Sequence, residues 1–312
     1  MKILIVNNLA SGFGDGAIYD FVRVMAKDGD EIVIRSSDGT TDLRTFLLDS
    51  SDFDLVVASG GDGTIATVCY ALANTNVPVL PFPAGTANLL ALNVDLPNEV
   101  HALAKLAREG KTLRFDMGEL ELDCGKYGFG IMAGAGYDAL IMKGAKPTKR
   151  TLGPLAYFGA AVTSLNPQYS KIHMVLDGIP VDSEGVGVLI VNFSKIQFDI
   201  SVTHTNEPRN GMLDVVVLKA PNAIGLLPAV GAALLDRDGS FPDRPDVLEI
   251  HRVREATVVA DPPLPVQFDG EVSDQMTPFT VRVLPGAVKM VLSDAGYKKF
   301  CDDKPAEQHI QL

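Results

Sequence analysis

The sequence has few cysteines, no excess of positive charge and no long hydrophobic run, and each absence excludes a class of protein. The cysteines Cys69, Cys124 and Cys301 are too few and too far apart for a disulfide framework or a zinc site, which indicates a reducing compartment. The net charge of −12 argues against a general nucleic-acid-binding protein, because such proteins neutralise phosphates with lysine and arginine. The longest apolar stretch, residues 223–235, contains Pro228 and is too short to span a bilayer. We therefore expect a cytoplasmic protein that binds no nucleic acid.

Two motifs are also missing. The histidines are scattered without metal-ligand spacing, so we assign them no role. No GxxxxGK[ST] sequence occurs, which excludes a P-loop enzyme. A bound phosphate chain would therefore have to be held by backbone N–H groups and Mg²⁺.

The length of 312 residues favours two domains, and the pattern changes between them. Strands and helices alternate in the first third, which predicts a parallel sheet covered by helices. The expected strands there are 2–7, 30–35, 54–58 and 77–81, and the expected helices are 17–27, 41–48, 86–92 and 98–108. After about residue 113, short β-like segments dominate, for example 127–133, which predicts a second, mainly antiparallel β domain.

The most informative stretch is Leu55–Thr64, in which a buried strand ends in Gly60-Gly-Asp-Gly-Thr64 and a helical pattern follows. Glycines allow backbone N–H groups to approach an anion, and a helix N-terminus adds free N–H groups and the positive end of its dipole. An ordinary strand-to-helix turn, with Asp62 or Thr64 as the helix cap, is the alternative. The three glycines, the acid and the threonine favour a phosphate site.

Similar loops follow two other expected strands. Residues 8–12 follow the first strand, and Pro83-Ala-Gly-Thr-Ala-Asn88 follows the fourth. Thr86 suits either a helix cap or a phosphate ligand. Because ligands of parallel sheets bind beyond the carboxyl ends of the strands, we expect these loops to share one edge with Gly60–Thr64.

A second candidate site is Val266-Gln-Phe-Asp-Gly-Glu271. The simpler interpretation is a hairpin with Asp269-Gly270 as its turn. The functional interpretation is that a carboxylate here accepts the proton of a substrate hydroxyl that attacks a γ-phosphate.

One basic run stands out in this acidic chain: Lys143, Lys146, Lys149 and Arg150. It suits a solvated surface and peripheral contact with an anionic membrane about equally.

Gly60–Thr64, Pro83–Asn88 and Asp269-Gly-Glu271, in this order, resemble the diacylglycerol kinase catalytic domain family. The similarity is greatest to the bacterial soluble lipid kinases, which are related to sphingosine kinases and NAD kinases. Asp116 and Gly134-Ala-Gly-Tyr-Asp138 also match, and the resemblance extends over about residues 2–296.

The resemblance implies an α/β nucleotide-binding domain at 1–117, with about 287–300 returning to it, and a β-sandwich acceptor-binding domain at 118–286. It implies ATP and Mg²⁺ as cofactors and a lipid alcohol such as diacylglycerol as substrate. The implied ATP-binding residues are Asn8, Ser36, Gly60, Gly61, Asp62, Gly63, Thr64 and Thr86. The implied catalytic residues are Glu271, Asp269 and Asp62, and which of Glu271 and Asp269 is the base is left open.

The sequence departs from the family pattern at several positions. Leu9 stands in place of a proline, Ala66 in place of an asparagine and Leu89 in place of an aspartate. The structural Mg²⁺ site of the family has an Asp-Gly pair, and here Asn210 offers a neutral oxygen, a poorer ligand for this cation.

Two alternatives to a lipid kinase stay open. One is a kinase of a soluble alcohol such as NAD or a sugar, and the other is a nucleotide-binding regulator without catalysis, which the departures motivate. The sequence does not set the oligomeric state, with a homodimer among the options.

Overall fold

The structure is a computed structural model that describes residues 1–11, 16–26, 29–136, 168–193, 207–219 and 247–302. The chain divides into two compact units. The first contains Met1–Phe115 together with the segment that begins at Gly286, and the second contains Asp116–Pro285. The assignment of ATP binding to one unit and acceptor binding to the other stays a prediction.

The first unit is built on a parallel sheet with the strand order β2-β1-β3-β4-β16. Its strands are β1 (Lys2–Asn8), β2 (Glu31–Ser37), β3 (Leu55–Gly60), β4 (Val79–Pro83) and the end of β16 (Phe279–Leu292). All residues of β3 are buried, as expected for a parallel strand covered on both faces.

Helices cover this sheet. They are α1 (Ala17–Ala26), α2 (Asp62–Ala71), α3 (Leu89–Asn93), α4 (Val100–Glu109) and α5 (Asp294–Asp302). Phe21 of α1 packs edge-on against Phe82 of β4, with ring centroids 5.6 Å apart. Phe300 of α5 packs in the same way against Phe115, at 5.0 Å. These contacts fix helices from both ends of the chain on the same unit.

The second unit contains two antiparallel sheets. One has the order β12-β11-β10-β7-β14-β15. The other contains β16, β13, β8 and β9 in sequence, and β5 pairs with β16 and β6. The strands not yet given are β5 (Lys111–Leu122), β6 (Gly125–Phe129), β7 (Met132–Gly136), β8 (Ser170–Leu176), β9 (Ile179–Gly185), β10 (Gly187–Val191), β11 (Leu213–Leu218), β12 (Leu248–Val253), β13 (Glu255–Asp261), β14 (Pro265–Phe268) and β15 (Glu271–Met276).

Both sheets of this unit contribute to one hydrophobic core, which makes the unit a sandwich. Met174 and Val258 enter the core from one sheet, and Ile190 and Val215 enter it from the other. Along β8, buried and exposed residues alternate, as the two-residue period of a half-covered strand requires. The predicted fold class, an α/β unit with a parallel sheet followed by a β sandwich, is confirmed.

Two predicted elements have different bounds. The helix expected at 86–92 begins at Leu89, because Asn88 has a left-handed φ of 53° that a helix cannot include. The strand expected at 127–133 is divided between β6 and β7, because the backbone of Gly130 and Ile131 turns its N–H groups to a side chain instead of a neighbouring strand.

The segment expected to be a helix at 41–48 forms a 3₁₀ helix at Leu43–Leu47, and Asp42 caps it by accepting a hydrogen bond from the N–H group of Arg44. A second 3₁₀ helix spans Ser50–Asp52. Within the described ranges, no helix has the length and hydropathy needed to cross a membrane.

Candidate active site

In the first unit, four loops meet at the carboxyl ends of the parallel strands. The N–H group of Leu9, after β1, donates to the carbonyl of Ser37 at the end of β2, at 2.8 Å. The side-chain amide of Asn8 donates to the hydroxyl of Thr64, after β3, at 2.9 Å. Ser11 accepts a hydrogen bond from the N–H group of Gly61 at 3.2 Å. Side chains after β1 are therefore bonded directly to the glycine-rich loop.

The loops after β3 and β4 approach so closely that only glycine fits. A Cβ atom on Gly85 would lie 2.4 Å from the Cα atom of Gly61, which is well inside van der Waals contact. A Cβ atom on Gly60 would lie 2.6 Å from the side chain of Thr64. Gly85 therefore lets the loops after β3 and β4 pack against each other, and Gly60 leaves room for the side chain of Thr64 at the start of α2.

The start of α2 has the properties of an anion site. Gly61 is the N-cap residue of α2 and, as a glycine, offers no side-chain cap to the first N–H groups of the helix within the described part of the chain. The hydroxyl oxygen of Thr64 accepts a hydrogen bond from the Asn8 amide, which leaves its own O–H group able to donate. The backbone donors of a helix N-terminus, a hydroxyl donor and the positive end of a helix dipole together suit phosphate oxygens.

The carboxylate of Asp62 bonds to the start of α3. Its Oδ1 atom accepts a hydrogen bond from the N–H group of Leu90 at 2.9 Å. Burial raises the pKa of Asp62 above its usual value, and hydrogen bonds from the backbone of Leu90 and Leu89 oppose that rise. The half-buried carboxylate thus caps a helix that begins 27 residues later in the chain, a role that the sequence did not indicate.

Sequence reasoning also missed Asn88. Its side-chain oxygen accepts a hydrogen bond from the N–H group of Gly85 at 2.8 Å, and its side-chain nitrogen donates to the Gly85 carbonyl at 3.1 Å. These two bonds close the loop after β4. The available signal was the Gly-x-x-Asn spacing, since asparagine tolerates left-handed φ and bonds to nearby backbone.

The predicted nucleotide residues therefore fall into two groups. The structure brings six of them together at the loop edge: Asn8, Gly60, Gly61, Asp62, Gly63 and Thr64. The other two are exposed: Ser36 lies near the end of β2, and Thr86 follows Gly85 in the loop after β4. Their contacts with a nucleotide stay a prediction.

In the second unit, Asp269 and Gly270 connect β14 and β15. Their φ values of 43° and 84° are those of a two-residue hairpin turn, as the simpler interpretation of the sequence expected. The Asp269 carboxylate nevertheless has partners of its own. It accepts hydrogen bonds from three backbone N–H groups, those of Gly130 at 2.6 Å, Ile131 at 2.8 Å and Met132 at 3.0 Å. Asp269 therefore ties the hairpin to the start of β7.

Glu271 differs from Asp269 in every one of these respects. It is the first residue of β15, it is paired with Phe268 across the hairpin, and its side chain is exposed. Its carboxylate is therefore accessible to solvent or to a ligand, whereas the carboxylate of Asp269 is engaged by the backbone.

Other polar residues of the second unit lie beside this turn. Asp116 is buried and accepts a hydrogen bond from the N–H group of Gly211 at 2.6 Å. Asn192 is also buried, and its amide donates to the main-chain carbonyls of Asp116 and Gly130. A chain of hydrogen bonds thus runs from Gly211 through Asp116 and Asn192 to Gly130, where Asp269 also bonds.

Asn210 is exposed, and its side-chain oxygen accepts a hydrogen bond from the N–H group of Met212 at 2.9 Å. The described residues contain no group of three or more His, Cys, Asp or Glu side chains that could hold a metal ion. A structural Mg²⁺ at Asn210 stays a prediction. The basic residues Lys143, Lys146, Lys149 and Arg150 lie outside the described residues.

Comparison with known proteins identifies the relatives of both units. The family model of the diacylglycerol kinase catalytic domain matches residues 2–120. The model of the YegS C-terminal NAD kinase beta sandwich-like domain matches residues 131–292. A diacylglycerol kinase from Bacillus anthracis has a similar structure, with a TM-score of 0.73 and 20% identity, over 94% of this chain and 98% of that one. That likeness concerns the fold.

Curated relatives agree with the family models. A diacylglycerol kinase of Mycobacterium tuberculosis is 32% identical over 40% of this chain and 41% of its own length. The uncharacterized protein sll0036 of Synechocystis is 26% identical over 78% of this chain and 55% of its own. The chain thus spans about half the length of these first relatives. A protein of Stenotrophomonas maltophilia named "Probable lipid kinase YegS-like" is 25% identical over 93% of this chain and 95% of its own. The resemblance seen in the motifs is therefore confirmed, and the chain belongs to the family of diacylglycerol kinases and YegS-like lipid kinases.

Proposed function

We propose that this protein is an ATP- and Mg²⁺-dependent lipid kinase that transfers the γ-phosphoryl group to a hydroxyl of a lipid such as diacylglycerol. The observation that carries the proposal is the meeting of loops from four parallel strands around the start of α2, whose N-cap residue is a glycine. The names of the relatives support a lipid alcohol as the acceptor.

The first unit supplies what a triphosphate chain needs. The N–H groups at the start of α2 bind phosphate oxygens, and the glycine at the N-cap adds no side chain that would compete for them. Thr64 adds a hydroxyl donor, and Asn8 holds that hydroxyl in place. Because Gly61 and Gly85 lie in contact, the backbone of both loops approaches the phosphates.

Mg²⁺ fits this site in the way it usually binds nucleotides. Mg²⁺ keeps several waters and needs only one or two carboxylates besides the phosphates. Asp62 is a carboxylate at the loop edge and is our candidate ligand for the ion, in addition to the hydrogen bonds that it accepts from the backbone of α3. When bound, the ion neutralises charge on the phosphate oxygens.

We assign the role of proton acceptor to Glu271. The acceptor hydroxyl oxygen forms a bond to the γ-phosphorus, the bond to the bridging oxygen of ADP breaks, and the hydroxyl proton passes to a carboxylate. Three backbone N–H groups already occupy the Asp269 carboxylate, so a proton there would displace hydrogen bonds that hold the hairpin. Glu271 is exposed and carries no such cost.

A membrane lipid as acceptor requires contact with a membrane surface. The basic run at Lys143, Lys146, Lys149 and Arg150 is our candidate for that contact at the inner membrane face, since anionic lipids attract clustered lysine and arginine.

The test is the change Glu271→Gln with Asp274→Asn as matched control. Asp274 is an exposed acid on the same strand, outside the proposed machinery. With labelled ATP, Mg²⁺ and vesicles of diacylglycerol in anionic phospholipid, we expect Glu271→Gln to lower kcat by about 100-fold or more. The control variant should keep the wild-type rate, and ATP affinity by calorimetry should be unchanged in both.

Three results would contradict the proposal. Full turnover in Glu271→Gln removes that residue from the role of base. ATP binding by the wild type without transfer to any acceptor supports the regulator, and transfer only to water-soluble alcohols supports the soluble-alcohol kinase.

A further inference from the structure

Asn192 is a fully buried amide that is only half satisfied. It follows β10, and its exposed fraction is 0%. Its side-chain nitrogen donates to the carbonyl of Gly130 at 2.7 Å and to that of Asp116 at 3.0 Å. Its side-chain oxygen is buried and accepts no hydrogen bond within the part of the chain that the structure describes. An unpaired buried acceptor destabilises the folded state by about 1–3 kcal/mol. The two hydrogen bonds that the side-chain nitrogen donates must therefore offset this loss, and they explain why an amide occupies this position.

The donations act on the backbone segment that binds Asp269. Gly130, Ile131 and Met132 present their N–H groups to the Asp269 carboxylate. Asn192 holds the same segment from its carbonyl side, through its side chain at Gly130 and through its own N–H group, which donates to the Ile131 carbonyl at 2.9 Å. The segment is therefore fixed by groups on both of its hydrogen-bonding sides.

We propose that Asn192 is a positioning residue for the turn that precedes Glu271. It holds residues 130–132 so that all three N–H groups point to Asp269, and Asp269 in turn fixes the hairpin on which Glu271 lies. This inference deepens the proposed function and rests on it, because its catalytic consequence requires Glu271 to be the proton acceptor.

The chemistry of the amide distinguishes this role from simple filling of space. Aspartate has nearly the same volume as asparagine, but in Asn192→Asp an ionised side chain would place a carboxylate oxygen against two carbonyl oxygens. The variant Asn192→Asp should therefore be at least as damaging at neutral pH as Asn192→Ala. A buried carboxyl facing carbonyls has a raised pKa, and once protonated it donates again. Because the pKa of this carboxyl is higher in the folded than in the unfolded protein, the loss of kcat and of exchange protection in Asn192→Asp becomes smaller as the pH falls through the folded-state pKa. The losses in Asn192→Ala do not change in this way.

The experiment measures amide hydrogen exchange at residues 130–132 and steady-state kinetics in both variants. The matched control is Asn98→Asp, the same change at an exposed position of the first unit. We expect about tenfold faster exchange at these amides and about tenfold lower kcat in Asn192→Asp at neutral pH, with KM for ATP within about twofold of wild type. Asn192→Ser, which keeps one donor, provides a milder variant if Asn192→Asp does not fold, and its exchange rate should lie between wild type and alanine.

Unchanged exchange at residues 130–132, or an Asn192→Asp variant equal to wild type at neutral pH, would overturn the proposal. These outcomes are separate from the fate of the proposed function. If the wild type transfers phosphate to no acceptor, the kinase assignment fails, and the exchange data still decide whether Asn192 holds the Asp269 turn.

Discussion

The change Asp269→Asn probes the difference between two acids of one hairpin. The Asp269 carboxylate accepts from Gly130 with Oδ2 at 2.6 Å, and from Ile131 and Met132 with Oδ1 at 2.8 and 3.0 Å. An asparagine side chain of the same shape can keep its oxygen toward Ile131 and Met132. It must then turn its NH₂ group toward the N–H group of Gly130, donor against donor.

The expected magnitude follows from that geometry. One charge-assisted hydrogen bond, worth about 1.5–3 kcal/mol, is lost, and the two that remain lose their charge. Because Asp269 is half-buried, solvent screening reduces the effect, and we expect the free energy of unfolding to fall by about 2 kcal/mol. Turnover should decrease without being abolished, since Glu271 keeps its carboxylate but lies on a less firmly held turn.

The assay is denaturant unfolding followed by circular dichroism, with amide exchange at residues 130–132 to assign the loss to this hairpin. Asp274→Asn is the control, since it removes one charge from the same net charge of −12 without touching the network. If Asp269→Asn matches the control in stability and yet loses all turnover, Asp269 acts chemically, and the assignment of the base to Glu271 is wrong.

Two further predictions concern the first unit. In Gly85→Ala, the new Cβ atom would lie 2.4 Å from the Cα atom of Gly61 and must force the loops after β3 and β4 apart by about 1 Å. Calorimetry should therefore show an ATP affinity that is at least about tenfold weaker. In the control Gly178→Ala, in the second unit, nothing lies within 4 Å of the added Cβ atom, and the φ of 85° strains only its own turn. ATP affinity should therefore be unchanged in the control, and equal affinity in both variants would refute the steric argument. The Arg35 guanidinium hydrogen-bonds to Asp49 and lowers the pKa of that carboxyl to about 2. The contribution of this pair to stability is therefore present at pH values above the ordinary carboxyl pKa, and it is lost as the pH falls toward 2. In Arg35→Gln, the Asp49 titration followed by NMR should move up to the ordinary carboxyl pKa. An unmoved midpoint would show that Arg35 does not cause the lowered pKa.

The sequence allowed the first unit to be predicted further than the second. Parallel strands place their carboxyl ends at one edge of the sheet, so the sequence alone predicts that Asn8, Gly60 and Thr64 lie together, and the structure shows the Asn8–Thr64 hydrogen bond. The Asp269-Gly270 turn was also readable, because both residues tolerate positive φ. These are local patterns combined with one rule of topology.

The partners of the acids could not be predicted in the same way. Asp62 bonds to Leu90, 28 residues along the chain, and Asp269 bonds to Gly130, 139 residues before it. A carboxylate accepts from whichever N–H group the fold leaves beside it, and no local propensity determines that group. The sequence-based interpretations of Asp269 as a turn residue and as a functional acid were alternatives, whereas the structure shows a turn residue whose carboxylate has a definite structural task.

The partners that the fold gives to Asp62 also explain why position 89 can be a leucine. The family pattern has an acid here, at the first residue of α3, where negative charge near a helix N-terminus is favourable. In this chain the charge comes from Asp62, whose carboxylate accepts from the N–H group of Leu90. Since Asn88 adopts a left-handed φ and uses its side chain on Gly85, it does not cap α3, and Asp62 takes that place. A single carboxylate thus links the glycine-rich loop to the segment after β4, so both sides of the proposed phosphate site depend on Asp62 although residue 89 is a leucine and not an acid.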